Sequence, residues 1–468
     1  QIIGKGKDVS VTSANLQIVF TDSDGALTET DIEPGWSATK TFTIKNDTKT
    51  EYKYNIVIKD LLNTFVTEGY LQYKITSTND GYNMTEFKDI PKSSVATDTI
   101  LAYSVVIPNG VTQSYTIEFK YANDESVDQS EDMGKKLSGT LFITEGTEDP
   151  NKTLYNQLLV DKSTKLTRTD FSTVYTSNNT KTLYTSTENG TTVYYFAGNA
   201  TDNWVKFGKN ENNQDLYWRI IRTNSDGSVR LLYHSTSTTA TDAYIGESAF
   251  NSSYNNIASV SYMYGSLGGI PNARENTTNS TIKTIIDNWY KDNLNTNYGK
   301  YLSTTAVYCN DRSTSDNYEF GAYTRLDTNK TPTYDCATTE DKFTVDTSTG
   351  NGKLTYPIAL MTADEVAFAG GVDATNAETW YYYNSANKSS TGSTWWWLLS
   401  PHFWDDRDAF VFGVDGSSSP GHLDSYRVGS TYGVRPAISL KSCVKTSGGD
   451  GSASAPYTIE ETTSTSGC

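Results

Sequence analysis

The sequence predicts a multidomain, β-rich chain: an N-terminal all-β sandwich followed by an α+β domain. Three observations carry this. The chain has 468 residues, more than one ordinary core accommodates. Segments alternating apolar and polar residues fill its first third. Helical spacing enters only later, together with dense Trp and Tyr.

Residues 1–146 read as strands. They are "NLQIVFT" (Asn15–Thr21), "KTFTIKN" (Lys40–Asn46), "YNIVIKD" (Tyr54–Asp60), "LQYKIT" (Leu71–Thr76), "YSVVIP" (Tyr103–Pro108), "YTIEFKY" (Tyr115–Tyr121) and "LSGTLFI" (Leu137–Ile143). Period-two alternation buries one face of each. Asp24-Gly25, Pro34-Gly35 and Asn109-Gly110 supply the turns. Strands at such spacing form a sandwich. "TEGTEDPNKT" (Thr144–Thr153) is polar, acidic and aperiodic, and its residues 147–153 are read as the linker.

From residue 154 to 468 the pattern mixes. "LYWRIIRTNSDGSVRLLYHS" reads as a hairpin around Asp226-Gly227. Ser280 caps "TIKTIIDNWYKDNL", with Ile282, Ile285, Ile286 and Trp289 on one predicted face. Thr362 and Glu365 form a capping box, and Gly370 stops the helix that follows.

Composition narrows the function. A net charge of −17 with no basic stripe argues against nucleic acid and anionic membrane surfaces as partners. No apolar run is long enough to span a bilayer. Gln1 opens directly onto a strand-like segment with no leader, the expectation for a secreted, mature product. Cys309, Cys336, Cys443 and Cys468 form no CxxC pair, so two disulfides are expected. Cys309–Cys336 and Cys443–Cys468 are the sequence-local pairings; the other two connectivities stay open.

"DIEPGWSATKTFTIKNDT" (Asp31–Thr48), with the strands after it, resembles the TasA/camelysin family of bacterial fibre and surface proteins. The resemblance covers the first third of the chain and implies a jelly-roll-like sandwich that polymerises by lending its N-terminal strand to the next subunit. Gln1–Ser13, with Ile2, Ile3, Val9 and Val11, is the donor strand on that reading, and identical subunits are the partners. The region contains no His, which excludes a HExxH zinc site.

"LYWRIIRTNSDGSVRLLYH", "TIKTIIDNWYKDNL", "CNDRS" (Cys309–Ser313), "LTYPIALMTADEVAFAG", "WWWLLSP" and "GVRPAISLK" (Gly433–Lys441) follow in that order. Together they resemble Gram-positive surface modules related to the C-type-lectin-like fold of formylglycine-generating enzymes. Catalysis in that family uses active-site cysteines. None lies between Cys336 and Cys443, so the resemblance implies the fold without the chemistry.

Residues 398–434 resemble the variable region of proteins diversified by a retroelement. Adenine mutagenesis of AAY codons cannot yield Lys, Glu, Gln, Met or Trp. The stretch holds none of the first four, and Trp404 is the exception. The displayed set is His402, Phe403, Trp404, Asp405, Asp406, Arg407, Ser417, Ser418, His422, Asp424, Tyr426, Arg427, Ser430 and Tyr432. Such residues on anchored loops are paratope chemistry. "AFVF" (Ala409–Phe412) is expected to be a buried strand, and at least two of Trp395, Trp396 and Trp397 to be core.

A Ser-His-Asp triad is disfavoured because no nucleophile elbow is present. No cofactor is expected. Calcium on Asp405, Asp406 and Asp408, or on Asp22 and Asp24, is the rival chemistry; solvated turn carboxylates are the favoured reading. The expectation is a non-enzymatic extracellular fibre subunit and adhesin binding a protein or glycan on another cell or host surface. A monomeric carbohydrate-binding protein is the alternative, and an extracellular hydrolase is a more distant one.

Overall fold

The computed structural model describes residues 32–84, 86–147, 149, 152–314, 318–377, 381–382, 392, 394–416, 419, 421–465 and 467, with the backbone alone of Val9–Ser13 and Leu16–Asp22. The chain divides into two compact units, Gln1–Asn151 and Lys152–Cys468.

The first unit contains β1 (Val9–Ser13), β2 (Leu16–Asp22), β3 (Ser37–Asn46), β4 (Tyr52–Asn63), β5 (Leu71–Ser77), β6 (Lys88–Asp89), β7 (Ser93–Ile107), β8 (Thr112–Tyr121) and β9 (Leu137–Glu145). One sheet has the order β1-β2-β3-β8-β5-β6 and the other β7-β4-β9. Side chains from both sheets enter one core, including Phe42, Ile44, Tyr54, Ile58, Tyr115, Ile117 and Ile143. The alternation in β3 places Lys40, Phe42, Ile44 and Asn46 inside. Asn46 is buried because its amide donates to the Ile107 carbonyl at 3.0 Å while its Oδ1 accepts Thr48 Oγ1 at 2.7 Å. Gly35, at φ +95°, makes the turn that feeds β3.

Two segments singled out in the sequence fall in this unit. The polar stretch Thr144–Thr153 begins inside this unit. Thr144 and Glu145 belong to β9, and the Thr147 amide donates to Asn55 Oδ1 at 3.1 Å. Val9–Ser13 pairs within its own chain, antiparallel to β2, with Val9 opposite Phe20 and Val11 opposite Ile18. Ile2 and Ile3 lie outside the described residues.

The second unit opens with α1 (Leu154–Asp161), capped by Thr153, then β10 (Asp215–Thr223), β11 (Val229–Ser235), β12 (Glu247–Ala249), α2 (Thr281–Asn293) and β13 (Ile358–Leu360). After α3 (Ala363–Ala369) come β14 (Trp396–Trp404), β15 (Ala409–Val414), β16 (Leu423–Arg427), β17 (Thr431–Gly433) and β18 (Pro436–Leu440). A ten-stranded sheet contains the series β10-β11-β18-β13. A five-stranded sheet runs β12-β17-β14-β15-β16. One cluster of buried residues spans both sheets and the helices.

The predicted β10–β11 hairpin turns at Gly227, φ +77°. Ser280 Oγ accepts the Lys283 amide of α2, and both halves of the Thr362–Glu365 capping box form. The buried face of α2 differs from expectation: Ile282, Ile286 and Tyr290 go inside with Lys283 and Asp287, while Ile285 is exposed.

"CNDRS" is a structural knot. Cys309 is bonded to Cys336. Asn310 donates to the Leu399 carbonyl of β14 at 2.8 Å and accepts the Tyr262 amide at 3.0 Å. Asp311 pairs with Arg325 at 2.7 Å. Arg312, wholly buried, meets Asp341 at 2.8 Å and four further acceptors. Cys443 is also disulfide-bonded, and Cys468 lies outside the described residues. No described helix is long and apolar enough to cross a membrane.

Candidate functional site

Strand pairing decides where the predicted display residues go. Successive side chains of a strand point to opposite faces. β16 pairs with β15 so that Gly413 faces Asp424, Val411 faces Tyr426, Phe412 faces Ser425 and Phe410 faces Arg427. Asp424 and Tyr426 therefore share one face, and Ser425 and Arg427 the other.

On the first face the rings of Trp395 and Tyr426 meet at 3.8 Å, Tyr426 and Tyr432 at 4.9 Å, and Tyr432 covers Trp397 at 5.2 Å. His422 approaches Trp395 at 6.1 Å. Trp395, His422, Asp424, Tyr426 and Tyr432 are half-buried, while Trp396 and Trp397 are fully buried. Gly413 makes room for this arrangement: a Cβ there would lie 3.0 Å from the Trp396 carbonyl and 3.4 Å from the Tyr426 ring. Gly433 does the same for Tyr244, whose ring would be 2.7 Å from an added Cβ. Burial, then Asp424, Asp415 and Tyr432, hold the Tyr426 phenol above its ordinary pKa.

The second group gathers elsewhere on the sheet. Phe403 stacks on Phe410 at 4.2 Å, and His402 packs against Phe412 at 4.4 Å and Tyr323 at 4.5 Å. No ring contact joins the two groups among the described residues. Beyond the stack, the Asp405 carboxylate accepts the backbone amides of Arg407 at 2.9 Å and Asp408 at 2.6 Å. Asp406 adopts φ +69° in this turn. Those amide bonds hold the Asp405 pKa below its ordinary value. Asp408 pairs with the exposed Arg427 at 3.2 Å. Asp405, Asp406 and Arg407 are exposed, whereas Phe403, Trp404 and Ser430 are half-buried.

Two predicted roles are corrected. His402 is not displayed: it is 5% exposed, its Nδ1 has no partner, and burial pushes its imidazole down to about 3. It is a neutral core ring at physiological pH. Phe410 is half-buried rather than buried: it shares a face of β15 with Phe412 but lies near the strand's start, opposite Phe403 after a shift in the β14–β15 register. Ser417 and Ser418 lie outside the described residues.

Trp395 is the site residue that sequence reasoning missed. It is one of three identical neighbours, and only its position just outside β14 separates it from Trp396 and Trp397. Asp373 was missed too. It bridges to Leu423 at the edge of β16, and its Oδ1 has no partner. Burial, then Asp327 and Asp424, push its carboxyl up to about 7. The unfolded chain releases this proton near pH 3.9, so stability falls as pH rises from about 4 to about 7. Asp373→Asn should therefore exceed the wild type in stability by about 1–2 kcal/mol at pH 8, a figure discounted for partial exposure. The gain should vanish near pH 4 in urea unfolding monitored by fluorescence. An equal gain at both pH values would refute the assignment. Among the described residues, no group of three or more His, Cys, Asp or Glu is arranged to hold a metal ion.

Residues 287–442 match the model of a family described as a domain of unknown function, DUF6273. The match begins within α2 and includes both ring groups. No curated protein matches the chain. Among solved structures, AvmM, which catalyses macrocyclization in alchivemycin A biosynthesis, is similar over 31% of this chain and 98% of its own, at 10% identity and TM-score 0.17. A family 123 glycoside hydrolase from Clostridium perfringens is similar over 40% of this chain and 46% of its own, at 8% identity and TM-score 0.11. At these scores neither likeness bears on fold or function.

Proposed function

We propose that the chain is a non-enzymatic extracellular surface protein whose second unit is a C-type-lectin-like module. It binds a protein or glycan ligand through the face formed by Trp395, His422, Asp424, Tyr426 and Tyr432. The observation that carries this reading is the contiguous cluster of half-exposed rings held by paired strands. Anchored aromatics give contact area at low entropic cost, and neighbouring polar groups orient the ligand. Diversification of residues 398–434 by a retroelement is part of the same reading.

Glycan and surface-protein arrays test it. The wild type should bind a defined ligand set. Trp395→Ala and Tyr426→Ala should each lose roughly tenfold or more in affinity with the fold intact. Asp406→Ala and Arg407→Ala, in the separate turn, should change affinity little. Binding undiminished in both aromatic variants would refute the assignment of the face.

The first unit, on this reading, is a jelly-roll-like assembly module of a surface filament. Its cis β1–β2 hairpin uses backbone bonds that strand addition between subunits would otherwise supply. The assembly proposal is that β1 exchanges between subunits, repeating the ligand-binding face along a fibre and raising avidity. Deleting Gln1–Ser13 should leave a monomer under negative-stain microscopy where the full chain forms filaments. Filaments from the deleted chain would overturn strand exchange.

A further inference from the structure

The second unit pairs its buried arginines with carboxylates. Arg222 and Arg230 share Glu365, and Arg312 meets Asp341. Two others break this pattern. Arg435 is wholly buried just before β18; its Nε donates to the Tyr233 carbonyl at 2.9 Å, but Nη1 and Nη2 have no partner among the described residues. Arg219, in β10, is 5% exposed and donates only to neutral oxygens, Asn203 Oδ1 and the Ala200 carbonyl, each at 2.7 Å. No carboxylate pairs with either arginine among the described residues. Asp202, which influences Arg219, is paired with Lys162 at 2.9 Å.

Further unmet donors belong to the same region. The Arg435 guanidinium lies over the Trp396 ring at 4.9 Å, and Trp396 Nε1 has no partner. His234 in β11 is buried against Trp204 at 4.5 Å, with neither ring nitrogen bonded. The Arg219 guanidinium lies over the Trp204 ring at 4.1 Å. Burial holds Arg435 down to about 10 and Arg219 down to about 9, so both are cations at neutral pH. Burial, with the fields of Arg435 and Arg219, keeps His234 neutral. Two like charges and several N–H donors are thus buried together with no anionic partner among the described residues. Burying such a charge is costly unless it is paired, and water satisfies donors without cancelling charge.

We propose that this donor cluster binds a small monovalent anion, chloride, held by the Nη groups of Arg435, with Trp396 Nε1 and His234 as the other unmet donors. Arg435 is wholly buried with its guanidinium over the Trp396 and Tyr382 rings, surroundings that suit a small ion better than a bulky oxyanion. The bound ion would tie β18 to β14, the strand that begins beside the ring cluster, and so stabilise the second unit.

The test is calorimetry of the full chain at constant ionic strength, with sodium chloride replacing sodium gluconate from about 1 to about 300 mM. The second unit's Tm should rise by roughly 5 °C across the series, and bromide should act alike. Arg435→Met should abolish the dependence. Crystals grown in bromide should show an anomalous peak within hydrogen-bonding distance of Arg435 Nη1 or Nη2. A Tm indifferent to halide, or the same slope in Arg435→Met, would overturn the proposal. If that variant does not fold, the bromide peak decides: its absence refutes the site.

Discussion

Replacing Glu365 with alanine should destabilise the second unit by about 3–5 kcal/mol, the range for breaking a buried ion pair from one side. Glu365 is 1% exposed, and its Oε1 accepts Arg222 Nε at 2.8 Å and Arg230 Nη1 at 2.7 Å. Its Oε2 accepts the Thr362 amide at 3.0 Å, closing the capping box of α3. Removing the carboxylate leaves Arg222 with Glu188 alone and Arg230 with only neutral partners, over the Tyr308 ring at 4.3 Å. Burial raises the Glu365 pKa, but Arg230 and Arg222 outweigh it, and the net direction is downward. A depressed folded pKa means the contribution is complete above the unfolded value near 4.3 and is lost as pH falls through the folded one. Calorimetry should therefore show the second unit's transition lowered by roughly 10 °C at pH 7 and the difference narrowing in acid. Glu365→Gln keeps the shape and the cap acceptor but not the charge. A fall as large as that of the alanine variant would assign the effect to the ion pairs; a small one would assign it to the cap.

Phe412→Ala should cost about 3–5 kcal/mol, while Phe410→Ala should cost roughly 1 kcal/mol. Phe412 has no exposed surface and packs against His402 at 4.4 Å. Phe410, two residues earlier, is half-exposed and stacks on Phe403, itself half-exposed. Chemical denaturation of the two variants separates them. Equal losses would mean that the Phe403–Phe410 stack is as much a part of the core as Phe412.

Much of the fold was legible. The strand from Lys40 to Asn46 needed only its alternation and the Pro34-Gly35 turn. The Ser280 cap, the Thr362–Glu365 box and the Asp226-Gly227 hairpin are formed by groups within a few residues of one another. The site was legible only as a region. The stretch holding Tyr426, Tyr432, His422 and Asp424 was identified, but it was read as a single surface with His402, Trp404 and Arg427. Pairing with β15 divides it, because residues of opposite parity on β16 leave the sheet on opposite sides.

The sequence by itself determined the periodicities, the caps, the turns, and the absence of a basic stripe or a CxxC pair. These depend on spacing of a few residues and on totals, both of which a linear string contains. Tertiary structure alone decided that Glu365, read as a capping residue, also anchors Arg222 and Arg230 from 143 and 135 positions away. It also decided that Trp395 stays half-exposed while Trp396 and Trp397 are covered, and that His402 is core rather than surface. Burial and charge pairing depend on which distant segments pack across a side chain. A residue carries its chemistry in its own identity, but what it faces is set by contacts that local spacing does not record.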